Sequence, residues 1–319
     1  MSDKTVHFKN LNGLRAIAAM MVLLHHWSYR FPQFQSNIYI GDLLINIGKS
    51  GVVLFFVLSG FLITYLLLFE LKKCGKIDKK KFYMRRILRI WPLYFLIIFL
   101  GMFIIPNVIY LRPVGYLEIV QDDFFIKLFL FVFMLPNVVY SFFPNMAILS
   151  MSWSIGVEEQ FYLMWPGLLN TSKNILRTLI WVIIIYTIVK IIIASLHHFY
   201  PNQIMDRIRF FWTFFLIDCM AIGAIIGFFV FTKKNKLHFL IGRYQLIISS
   251  LLLILLLISN FKFGIFHFQI QGILYALIIY NLTNKNKPYK ILENKIMNEI
   301  GKISFGVYMY HLIIIEVVL

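Results

Sequence analysis

The chain has little charge and still less that is acidic. Of its 319 residues only 14% are Asp, Glu, Lys or Arg, and the 14 acids stand against 31 lysines and arginines, for a formal net charge of +17. With 60% hydrophobic residues, this is too little polar surface for a soluble globule of the same length. The apolar stretches lack the short alternation of a transmembrane barrel. Two cysteines, Cys74 beside lysines and Cys219 in an apolar run, exclude a disulfide framework and give no metal-ligand spacing. No small-residue cleavage site follows the first apolar run, and Arg15 interrupts it, so it reads as a retained span and not a signal peptide. No internal repeat, low-complexity linker or soluble domain is visible.

What is present is a series of apolar segments at 11–28, 51–69, 91–110, 122–140, 150–169, 175–196, 211–231, 244–260, 264–282 and 303–319. Each is near the length that crosses about 30 Å of hydrocarbon. The expectation is an all-α polytopic membrane protein, a bundle of about ten transmembrane helices filling residues 1–319 as one membrane-embedded domain. The basic excess fits a cytoplasmic surface facing anionic lipids and not nucleic acid. Residues 70–89 carry nine lysines and arginines against two acids, which puts them, and with them the N-terminus, in the cytoplasm. Strict alternation then leaves the basic loops 232–243 and 283–302 outside. Either one segment between 91 and 231 does not fully cross, 150–169 being the first candidate because of its paired carboxylates and proline, or the rule fails in the C-terminal half.

Intramembrane ionisable groups mark candidate sites. Arg15 and His26 are eleven residues apart, which returns them to one helix face about 16 Å apart along the axis. Glu158 and Glu159 lie inside an apolar segment, as does Asp218, with Glu316 near the chain end. Arg86 and Arg89 are one helical turn apart, with Arg85 beside them, and two planar forks so placed can clamp a phosphate; lipid anchoring explains Lys79, Lys80 and Lys81 equally well. Ser304, Tyr308 and His311 fall at i, i+4 and i+7, a polar stripe suited to a cavity, although interfacial anchoring also accounts for Tyr308 and Tyr310. Gly51, Ser59 and Gly60 read as small residues for close helix packing.

Taken in order, LNGLRAIAAMMVLLHH, GVVLFFVLSGFLI, FYMRRILRIWPLY, SWSIGVEEQFYLMWP, DCMAIGAIIGFF and IGKISFGVYMYHLIII resemble the successive landmarks of the acyltransferase 3 family of integral membrane O-acyltransferases. The resemblance covers nearly the whole chain. It implies transfer of an acyl group, usually acetyl, from cytoplasmic acyl-CoA to a hydroxyl of a cell-envelope glycan or lipid-linked glycan, in a bacterial cell membrane. No permanently bound cofactor is implied: acetyl-CoA is a substrate. The family's arginine–histidine pair falls on Arg15 and His26, with His25 one residue too early and so off the expected site, its R-x-x-R for the CoA phosphates on Arg86 and Arg89, its acidic residue on Glu158 and its last histidine on His311. The chain departs from the family at Val53, where an aspartate is common, and before Asp218, where an arginine is replaced by the run FFLI.

For acyl transfer, His26 is the expected base, Glu158 its orienting or charge-balancing partner, and Arg15 the holder of the oxyanion or donor. Direct transfer and an acylated Ser304 or His26 both remain open. The alternative from another class is a proton-coupled transporter using Arg15, His26, Glu158 and Asp218 as a relay; it calls for matching repeats, and none is found.

Overall fold

The protein is described here from a computed structural model covering residues 8–28, 31, 38–232, 242–259, 261–283 and 289–318. Most of loop 232–243, part of loop 283–302 and Leu319 fall outside the described residues, so the topology expected from those basic loops is not addressed. Every regular element among the described residues is helical. In chain order these are α1 (Leu11–Ser28), α2 (Ile38–Cys74), α3 (Lys79–Phe99), α4 (Tyr116–Gln121), α5 (Phe124–Val132), α6 (Pro136–Phe142), α7 (Ser152–Thr171), α8 (Ile175–Phe199), α9 (Gln203–Phe214), α10 (Ile217–Thr232), α11 (Arg243–Ile258), α12 (His267–Thr283) and α13 (Lys295–Val318).

Five stretches are long and apolar enough to cross a membrane: Tyr39–Cys74, Lys79–Asn107, Ile175–Phe199, Gln203–Thr232 and Gly264–Thr283. They make this a multi-span membrane protein; the expected count of about ten is not confirmed among the described residues. Helices α1 and α7 fall short because Arg15, His25 and His26 in one, and Glu158, Glu159 and Gln160 in the other, dilute their hydropathy. The segment 122–140, expected as one span, is broken. Helix α5 ends at Val132, Met134 takes a left-handed φ of 58°, and α6 restarts at Pro136. A proline ring cannot follow an uninterrupted helix without clashing with the preceding turn, and at a first helical position it loses nothing. Segment 150–169, the first candidate for a segment that does not fully cross, is carried by the unbroken 20-residue helix α7, which includes Pro166 and is not among the five stretches long and apolar enough to cross.

The long helix α2 is the centre of the bundle and packs most extensively on α10 and α1. Glycine sets the α2–α10 distance. A Cβ at Gly60 would lie 1.8 Å from the Met220 carbonyl oxygen, and one at Gly223 would lie 2.0 Å from that of Val57, so each backbone fills the space a side chain would need. Helix α3 continues past Phe99 through a π-turn over Leu100–Ile104, which widens the backbone and leaves the Gly101 carbonyl to accept the Tyr116 hydroxyl at 3.1 Å. At the start of α1, Asn10 sits buried at a left-handed φ of 69°. Its side chain ties this end to the last turn of α12 through the Leu282 carbonyl (3.2 Å) and to the approach to α13 through the Tyr289 amide (2.9 Å). These ties orient α1 and α13, the two helices that carry Arg15 and Tyr308.

Asp218 has a structural explanation. Its carboxylate meets the Lys190 ammonium of α8 at 3.0 Å, with side chains 0% and 5% exposed, and also accepts the Cys219 amide at 3.0 Å. The cation that meets this aspartate comes from another helix, not from the residues just before it. Breaking one side leaves the other buried and uncompensated. Asp218→Asn is expected to destabilise the protein by roughly 3–5 kcal/mol, whereas Lys190→Met with Asp218→Leu should recover most of that loss. Thermal melting in detergent distinguishes the two, and equal melting of Asp218→Asn and wild type would refute a structural pair.

Candidate functional site

Five helices converge on a cavity of about 730 Å³, each with one stripe of its sequence. Helix α7 presents Ser154, Glu158 and Tyr162, spaced four residues apart and therefore on one face. Helix α2 presents Val52, Phe55, Ser59 and Leu62; α3 presents Arg86, Arg89 and Ile90; α13 presents Ser304 and Tyr308; and α1 presents Arg15. The Ser59 and Tyr162 hydroxyls both donate to Glu158 Oε1. The Arg86 guanidinium lies 5.3 Å from the Tyr162 ring centroid and 5.7 Å from that of Phe82. Arg15 is within electrostatic range of Arg89, Glu158 and Arg86, and among the described residues no hydrogen bond or ion pair engages it. Three guanidinium groups thus face one carboxylate along the cavity wall, a charge balance that favours an anionic ligand with several oxygens.

A second cavity of about 470 Å³ is lined by His25, His26, Lys49, Tyr140, Trp153 and Phe214, together with Val52 and Tyr308, which line the first cavity as well. The His26 ring lies 4.7 Å from that of His25 and 4.9 Å from that of His311. His311 is buried behind His26, and its Nδ1 meets the Tyr308 carbonyl at 2.5 Å. A carbonyl only accepts, so Nδ1 carries the proton and Nε2 is left with a lone pair; that nitrogen has no partner among the described residues. The Tyr308 hydroxyl donates to the Met151 carbonyl at 3.1 Å and shares a 2.6 Å hydrogen bond with Ser154.

Several expectations change on this geometry. Arg15 and His26 share a helix face but line different cavities, and Glu158 bonds Ser59 and Tyr162 on the Arg15 side, not on the side of His26. Arg85 turns away from Arg86 and Arg89 and meets Glu70 at 3.6 Å, mostly exposed. Glu159 does not line the cavity. One residue on from Glu158, it is rotated about 100° around the helix, accepts the Trp91 indole N–H at 3.1 Å through Oε2, and leaves Oε1 buried without a partner among the described residues. Ser304 and Tyr308 do line the cavity; His311 packs against His26 from outside either lining. Gly51 and Gly60 pack closely, as expected, whereas Ser59 belongs to the site. His25, expected to lie off the site, joins His26 because Gly48 makes room: a Cβ there would lie 2.4 Å from His25 Cβ. Sequence reasoning missed Ser154 and Tyr162, although the four-residue spacing through Glu158 announces both. Asp218 lines neither cavity, so the four groups of the transporter alternative do not form one continuous relay.

A profile of the acyltransferase domain family matches residues 8–318. A Staphylococcus aureus (strain NCTC 8325) protein named O-acetyltransferase OatA is 26% identical over 96% of this chain and 50% of its own length. A protein of Staphylococcus aureus (strain COL) with a provisional O-acetyltransferase name is 27% identical over 99% of this chain and 52% of its own length. The chain therefore spans about half the length of the curated relatives it matches. No solved structure is a significant match.

The charge balance of the first cavity is directly testable. Pyrophosphate at a hundredfold excess over its Kd is expected to stabilise the detergent-solubilised protein by about 2.7 kcal/mol, and Arg86→Ala with Arg89→Ala should abolish that shift. A wild-type melting temperature indifferent to pyrophosphate would refute an anion site here.

Proposed function

Because the chain belongs to the acyltransferase domain family, acyltransferase 3, we propose that it is a membrane O-acyltransferase carrying an acyl group, acetyl foremost, from cytoplasmic acyl-CoA to a hydroxyl of a cell-envelope or lipid-linked glycan. The observation that carries this is the adjacency of the two cavities, one ringed by guanidinium groups and one by imidazoles, with Tyr308 common to both. The basic segment 70–89 supports a cytoplasmic approach to Arg86 and Arg89 with the N-terminus on the same side, and the staphylococcal relatives support a bacterial cell membrane.

In this mechanism Arg86, Arg89 and Arg15 hold the phosphates of the donor. Its pantetheine arm runs past Ser59 and Tyr308 and brings the thioester to the histidine cavity. His26 accepts the proton of the acceptor hydroxyl as that oxygen attacks the thioester carbonyl. The new C–O bond forms, the C–S bond breaks, and His26 returns the proton to the departing CoA thiolate. His311, with Nδ1 committed to a carbonyl, backs the His26 ring and positions it. Arg15 lies too far from His26 to touch the same reacting carbon, so its role is donor binding, and Glu158 is a positioning residue that offsets the like charges of the three arginines. Transfer through one base and one ternary complex needs no acylated residue.

His26→Ala is expected to reduce acetyl transfer by about 10²–10⁴-fold, the usual contribution of a positioned base, while acetyl-CoA binding persists. Arg86→Ala with Arg89→Ala should instead raise the donor KM, and by less for a donor lacking the 3′-phosphate; Arg→Lys should rescue only partly, since lysine has no planar fork. Steady-state kinetics of purified protein in nanodiscs tests both. A double arginine variant with an unchanged donor KM would return those residues to lipid anchoring, and a wild type that neither binds nor turns over acetyl-CoA would overturn the proposed reaction.

A further inference from the structure

The histidine cavity has a composition of its own. Trp153 and Tyr140 lie nearly parallel, 5.9 Å apart at 17°, and Phe214 closes on Trp153 edge-to-face at 5.4 Å and 70°, so the imidazoles share their cavity with a packed cluster of three aromatic rings. Such a cluster suits a flat apolar ring face whose rim carries polar groups, the form a pyranose presents along its axial C–H bonds. Lys49 stands beside it, exposed, with Nζ 5.6 Å from the Phe214 ring centroid. No carboxylate lines this cavity among the described residues. Lys49 is in the electrostatic range of Lys262 as well as of Asp42. Lys49 lies 25 residues before the end of α2 at Cys74, roughly 37 Å along the axis, and Cys74 lies within the basic segment 70–89. It therefore marks the face of the bundle remote from the donor's entry.

We propose that this cavity binds the acceptor as an anionic pyranoside, the sugar ring lying on Trp153 and Tyr140 and its carboxylate or phosphoryl group meeting Lys49, which turns a ring hydroxyl towards His26. The inference rests on the acyl-transfer function proposed above and adds the acceptor's charge. Lys49 is the specificity-determining residue; Trp153 binds any sugar ring, charged or not.

Acetyl transfer from acetyl-CoA is measured in nanodiscs with three acceptors that differ at one position: methyl glucopyranoside, its uronate, and its 6-phosphate. Wild type is expected to favour at least one anionic sugar over the neutral one by about tenfold in kcat/KM, the size of one charge-assisted hydrogen bond. Preference for the uronate or for the phosphate identifies which anion Lys49 reads. Lys49→Gln should bring the ratio close to one, Lys49→Arg should keep it, and Trp153→Ala should lower transfer to all three acceptors while the ratio persists. Equal use of neutral and anionic sugars by wild type, transfer to none of them, or a ratio that survives Lys49→Gln overturns the inference. The wild-type comparison decides even if a variant does not fold. Release of acetate from acetyl-CoA without a preference for anionic sugars sinks this inference alone, whereas no acetyl-CoA turnover under any condition sinks the parent function.

Discussion

Three guanidinium groups around one carboxylate, enclosed by five packed helices, form an electrostatically unbalanced arrangement, and much of the architecture follows from holding it together. At the low effective dielectric of such an interior, like charges repel far more strongly than in water. The bundle answers by placing Glu158 among Arg15, Arg86 and Arg89 and fixing its oxygen with two hydroxyls, those of Ser59 and Tyr162. It also lays Arg86 against the faces of Phe82 and Tyr162, where an aromatic quadrupole partly replaces lost hydration. These arrangements reduce the excess of positive charge without removing it. What remains is a preformed appetite for an anion, which links the stability of the bundle to occupancy of its cavity.

Helices α1 and α13 meet this arrangement from one side, and their register has to be exact to within a fraction of a turn. Asn10 supplies it by bonding two separate chain segments, one at the end of α12 and one before α13. On the other side α2 is held against α10 by glycines that leave no room for any side chain. Neither contact touches the cavity, yet both decide where Ser59, Arg15 and Tyr308 point. The Lys190–Asp218 pair plays a similar part between α8 and α10, and its burial explains why an acid in an apolar segment need not be chemical.

Much of the site was legible in the sequence because intramembrane charges are rare and helical spacing is rigid. Arg15, Arg86, Arg89 and Glu158 line one cavity, and the stripe Ser304–Tyr308 borders it, as their spacing implies. What spacing within one helix cannot say is which helix lies opposite. That is why Glu158 was paired with His26 rather than with Ser59, why Arg85 was grouped with its neighbours rather than with Glu70, and why His25 was set aside although Gly48, on another helix, makes its place. The number of spans was less legible for a related reason. Segment 122–140 has the composition of a span, but Pro136 and the left-handed Met134 divide it, and composition does not register backbone direction.

Among the described residues Tyr308 and Val52 are the only ones common to the linings of the two cavities, and this bears on the membrane itself. At the shared boundary of the two linings stand one phenol ring and one small aliphatic side chain, and water or a proton passing from one cavity to the other would have to move past them. The hydrogen bonds of the Tyr308 hydroxyl to Ser154 and the Met151 carbonyl therefore act as a latch against leakage.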